Sequence, residues 1–124
     1  DDDNDNSLVL MLHANGHTAL LTGDMQFKEE RTLLRRNADV SADILKVGNH
    51  GNPDATLEEF ANAVGAGIAV ISTDTSADTD SANARVIAAL GEAQIFVTEN
   101  DPIGVMIDMG KDISAGYASI VNNY

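Results

Sequence analysis

Asp24 and His50 are the residues of this chain best placed to do chemistry. Each follows an apolar, strand-like run that stops on glycine: Leu20-Leu21-Thr22-Gly23-Asp24, and Ile44-Leu45-Lys46-Val47-Gly48-Asn49-His50-Gly51. A glycine at a strand end lets the backbone turn sharply, so the side chain beyond it projects over the rigid edge of a sheet. A carboxylate there can hold a metal ion, and an imidazole can move a proton near neutral pH. Each has a plainer reading. Asp is a favoured helix N-cap, and Asp24 precedes a helix-like segment at residues 25–36. The ring of His50 could instead tie down the turn Gly51-Asn52-Pro53 by hydrogen bonds.

The surrounding pattern indicates the elements that must position them. Residues 8–12 and 18–21 are apolar and flank Asn15-Gly16, a strong two-residue hairpin signal. In that register Ala14 faces His17 and His13 faces Thr18, which sends the two histidines to opposite faces, unable to share one metal. Residues 26–36 carry Phe27, Leu33 and Leu34 roughly on one helical face, with Glu29 and Glu30 early and Arg35 and Arg36 late, as the helix dipole favours. Residues 43–47 read as a buried strand. Thr56-Leu57-Glu58-Glu59 reads as a capping box ahead of a helix with Phe60, Ala61 and Val64, ending by Gly67. A strand follows at residues 67–72, then a polar loop at 73–80 and a helix at 81–90. Closing strands are expected at 94–98, 103–109 and 117–121. Strands alternating with helices predict an α/β layered domain.

Composition bounds the function. With 124 residues the chain is one domain or part of one. There is no cysteine, hence no disulfide or thiolate site, and no apolar run approaches the roughly 20 residues that span a bilayer. Net charge is −13, from 20 acidic against 7 basic residues, so a direct grip on nucleic acid by this segment is not expected. The tract Asp1 to Asn6 reads as a solvated acidic loop or cut end. Lys46 reads as solvated or salt-bridged, Asn52 and Asp54 as turn and helix-entry residues, and the loop at 73–80 as solvated, although its carboxylates could hold a cation.

The order LLTGD, amphipathic helix, DILKVGNHG resembles the C-terminal half of the metallo-β-lactamase-fold hydrolases. Within them it is most similar to the hydrolase domain of ComEC-type DNA-uptake proteins and their free-standing relatives, whose second run usually reads KVGHHGS. The resemblance runs from about Ser7 to Met109. It implies an α/β fold that is half of an αββα sandwich, a mixed sheet with helices on one face, over residues 7–124. It also implies that Asp24 bridges two metal ions, that the ligand position of the second motif is occupied here by Asn49, and that His50 lies beside the substrate as a proton donor. An amide oxygen in place of an imidazole suits manganese, magnesium or calcium better than zinc, so a weakened zinc or manganese site is expected. The family's other metal motif, H-x-H-x-D-H, is absent from this sequence. The expected partner is therefore an N-terminal half of the same fold, and the fragment alone is expected to be inactive. The implied reaction is hydrolysis of a phosphoester, in a small molecule or nucleic acid, by metal-activated water. The alternatives are a non-catalytic binding or scaffold module of the same fold, or an unrelated acidic α/β domain in which TGD and NHG are a cap and a turn. Half a sandwich is also expected to expose an apolar sheet face or to cover it by pairing with a second copy.

Overall fold

A computed structural model describes residues 6–121. The acidic tract, apart from Asn6, lies outside the described residues. Strands β1 (Leu10–Ala14) and β2 (His17–Leu21) form the expected hairpin, with His13 opposite Thr18 and Ala14 opposite His17. Asn15 and Gly16 both have positive φ, as a two-residue turn of this twist requires. Three further strands, β3 (Ile44–Lys46), β4 (Ile68–Ile71) and β5 (Gln94–Val97), continue the sheet in the order β1-β2-β3-β4-β5. The hairpin is antiparallel and every later pairing is parallel, so the sheet is mixed.

Helices α1 (Phe27–Arg35), α2 (Glu58–Val64) and α3 (Ala84–Ala89) supply the crossovers. Their apolar side chains, among them Phe60, Val64 and Val86, pack on Leu20, Leu45, Ala69 and Ile71 of one sheet face to form the core. Full burial of a side chain such as Leu45 contributes about 1.5–3 kcal/mol. The opposite face carries Ala19, Leu21, Ile44, Lys46 and Val70. It is partly roofed by a second hairpin, β6 (Val105–Met109) and β7 (Ile113–Tyr117), leaving an apolar cavity of about 290 Å³. Beyond that roof Leu10 and Leu12 of β1 stay 47% and 50% exposed. No helix among the described residues is long and apolar enough to cross a membrane.

Three expected boundaries differ. Residues 117–121 are not a strand: β7 ends at Tyr117 and a short helix, α4 (Ala118–Val121), follows. Asp101 fixes this corner, since its carboxylate accepts from Ser119 Oγ and from the amides of Ile103 and Gly104. The capping box ahead of α2 does not form. Thr56 has a φ of +65°, and its amide and that of Leu57 are taken by the carboxylate of Glu30, each at 2.6 Å. Finally, α3 begins at Ala84 rather than near Ser81, with Asn83 as its cap accepting from the Arg85 amide at 2.9 Å.

Candidate active site at the carboxyl edge of the parallel strands

The two glycine-bearing motifs leave β2 and β3 at the same edge, where the parallel strands end, and hydrogen bonds stitch them together. Thr22 Oγ1 donates to the carbonyl of Lys46 at 2.6 Å, and the amide of Asn49 donates to the carbonyl of Gly23 at 3.1 Å. Gly48 is needed for this approach, because a Cβ there would lie 2.7 Å from the carbonyl oxygen of Met25. Layered α/β folds place their ligand sites at such carboxyl edges.

Beyond Gly48 the chain makes a left-handed turn, with φ of 48° at Asn49, 58° at His50 and 72° at Gly51. Left-handed non-glycine residues are uncommon, and Asn and His are among the types that tolerate them. The turn swings His50 so that Nε2 lies 3.1 Å from Asp24 Oδ1 and Nδ1 lies 2.7 Å from the carbonyl oxygen of Ser72 at the end of β4. A carbonyl only accepts, so Nδ1 carries a proton. Nε2 then either donates to Asp24 as part of an imidazolium or offers its lone pair to a cation. Both side chains are open to solvent, at 44% and 45% exposure. A cleft of about 390 Å³ beside His50 is lined by Ser72, Thr73, Asp74, Asp78 and Thr98.

The structure brings Asp24 and His50 together and gives Asn49 a different partner. The amide nitrogen of Asn49 donates to Asp54 Oδ1 at 2.8 Å, and Asp54 Oδ2 accepts from Gln26 at 2.7 Å. Asp24 is not the helix cap: α1 starts at Phe27, and Gln26 occupies the cap position. Nor does the His50 ring bind its own turn, since its partners lie just past the end of β4 and on the other motif. Asn52 braces the turn instead, donating to the carbonyl of Asn49 and to Asp78. Lys46 reaches the carbonyl of Gly23 at 3.4 Å, and burial pulls its pKa below the usual lysine range against the opposing pull of Asp24. His17 is at the other end of the hairpin, against the carbonyl of Lys111 and 3.9 Å from Asp43. His13 is exposed.

Asp24 and His50 are side chains of types able to ligate a metal, and they are paired with each other. Among the described residues no three His, Cys, Asp or Glu side chains converge as a metal site. The described residues therefore do not by themselves make a complete metal centre.

Residues that sequence reasoning passed over also shape this edge. The carbonyl of Ser72 orients His50, and Arg85 and Glu30 hold the loop that leaves the His50 turn. Their signal is tertiary: Glu30 and Arg85 reach loop residues 26 to 32 positions away. An acid in a first helical turn or a lone arginine in a helix would not announce that role.

The chain is similar to a segment of ComE operon protein 3. The match to that Bacillus subtilis protein is 31% identical over 103 residues, covering 83% of this chain and 13% of the other. Recombination protein 2 of Haemophilus influenzae is 34% identical over 71 residues, 57% of this chain and 9% of that protein. Competence protein ComA of Neisseria gonorrhoeae is 36% identical over 73 residues, 58% of this chain and 11% of that protein. The chain thus spans roughly a tenth of the length of these relatives. No protein-family model matches it, and no solved structure does so at a significant level.

Proposed function

We propose that this segment is the C-terminal half of a metallo-β-lactamase-type hydrolase domain that serves DNA uptake and cleaves a phosphoester. The observation that carries the reading is the pairing of Asp24 with His50 at the carboxyl edge, with the far side of the imidazole held by the Ser72 carbonyl. The competence name of one relative, and the com operon name of another, support DNA uptake as the setting.

In this reading Asp24 supplies a carboxylate to a divalent metal, zinc or manganese, whose remaining ligands come from residues outside this sequence. Such an ion, when bound, lowers the pKa of water and neutralises charge developing on phosphoryl oxygens. His50 holds a proton at Nδ1 on the Ser72 carbonyl, which leaves Nε2, beside Asp24 Oδ1, to give or take a proton. Asp24, Asp74 and Asp78 all border this region, so an anionic phosphoester needs a cation to approach it.

The second reading is a binding or scaffold module of the same fold. It is favoured by the residue type at position 49, an asparagine whose side-chain nitrogen donates to Asp54 and whose neutral amide oxygen is a weaker donor to zinc than an imidazole. Metal analysis and phosphodiesterase assay of a longer protein containing this segment separate the two. The hydrolase reading expects bound divalent metal that falls in Asp24→Ala, and zinc content that rises in Asn49→His, at least about 10-fold in affinity. A longer protein that binds no divalent metal and hydrolyses no phosphodiester, with or without Asn49→His, would favour the scaffold. Metal content and hydrolysis indifferent to both substitutions would show that this motif is not the metal site.

A further inference from the structure

We propose that Arg85 is a positioning residue for His50, acting through the loop that leaves the left-handed turn. A turn with positive φ at Asn49, His50 and Gly51 persists only where its surroundings over-determine it. The start of α3 provides those surroundings. The amide of Ala82 donates to the carbonyl of His50 at 3.3 Å, and that of Asn83 to the carbonyl of Gly51 at 3.0 Å. Arg85 extends the grip along the chain. Its guanidinium donates to the carbonyls of Pro53 at 3.1 Å, Thr56 at 2.9 Å, and Ala55.

Three carbonyls on one guanidinium exploit a rigid fork of donors that stays charged at any relevant pH. From the other side, the buried carboxylate of Glu30 takes the amides of Thr56 and Leu57. The loop is therefore held by its carbonyls through a cation and by its amides through an anion. Phe27 steadies the arrangement, with the Arg85 guanidinium 5.2 Å from its ring centre and that of Arg31 5.4 Å from it. Within the same loop, Asp54 ties back to the side chains of Asn49 and Gln26. A shift of this loop moves Asn49, and His50 follows it along the chain.

The functional meaning of this device rests on reading Asp24 and His50 as the reacting pair, but its first test does not. In the full chain labelled with nitrogen-15, the His50 ring signals report which nitrogen carries the proton. Arg85→Gln removes the charge and the fork. It is expected to shift both His50 ring signals away from the Nδ1-protonated pattern while the amide spectrum of the core stays native. Arg85→Lys restores charge without the fork and is expected to recover only part of that change. A folded Arg85→Gln chain with unmoved His50 ring signals overturns the proposal. If that variant does not fold, unmoved signals in Arg85→Lys overturn it equally. In a longer protein with phosphodiesterase activity, Arg85→Gln is expected to lower kcat about 10- to 100-fold with little change in KM. Shifted ring signals in a protein without hydrolase activity would uphold the positioning role and defeat the hydrolase reading.

Discussion

Asp24 Oδ1 and His50 Nε2 meet at 3.1 Å although the two side chains leave different strands, β2 and β3. Because both are nearly half exposed, water screens their attraction, and such a pair contributes only about 0–1 kcal/mol to stability. Its value lies in what the two groups can do together at the sheet edge.

Asp24→Asn is therefore expected to leave the unfolding midpoint in denaturant almost unchanged, within about 1 kcal/mol. In a longer protein with hydrolase activity the same change is expected to cost at least about 100-fold in kcat, the scale of a lost proton-transfer or metal-holding group. A large loss of stability with intact hydrolysis would instead make the pair a structural brace.

Gly48→Ala should destabilise the chain by about 1–3 kcal/mol, because the new methyl group would sit against the Met25 carbonyl, a backbone atom that cannot swing away. Gly67→Ala provides the control: a Cβ there meets nothing within 4 Å. Urea titration of both variants checks the contrast, and equal midpoints would show that the two motif loops are not packed as closely as described.

Glu30 is 1% exposed, and burial raises its pKa above the ordinary 4.5, outweighing the Leu57 and Thr56 amides and the attraction of Arg85 and Arg31. A carboxyl with a raised folded-state pKa binds more protons in the native than in the unfolded chain. Its contribution is complete below pH 4.5 and is lost as pH rises through the folded value. Thermal melts should accordingly show the advantage of wild type over Glu30→Gln shrinking as pH is raised from about 4.5 toward neutrality. An advantage that grows over that interval would mean that the two amides and Arg85 outweigh desolvation.

Leu10 and Leu12 stand on the face of β1 that the second hairpin does not reach. Hydrophobic dye should bind the isolated chain there, and Leu10→Lys with Leu12→Lys should abolish that binding with little change in melting temperature. Light scattering of the double variant adds a check on association. A wild-type chain that binds no dye and stays monomeric would show that this face needs no cover.

Local chemistry made much of this fold legible in the sequence. Asn15-Gly16 set the hairpin and its register, because a two-residue turn with positive φ admits few other residues. Periods of apolar residues marked β3, β4, β5 and the three crossover helices, because each buries one face against a shared core. The glycines of the two motifs marked the strand ends. Tertiary contacts decided the remainder. The start of α2 moved because Glu30, from another helix, accepts from the Thr56 amide in place of the Glu59 carboxylate of the expected box, and from the Leu57 amide as well. The last segment became a helix because Asp101 and Ser119 close a corner that no local pattern encodes. The orientation of His50 depends on the Ser72 carbonyl and on a loop gripped by Arg85. A single hydrogen bond between distant residues leaves no periodicity in the chain, and its direction is set only when the strands carrying the two ends lie side by side.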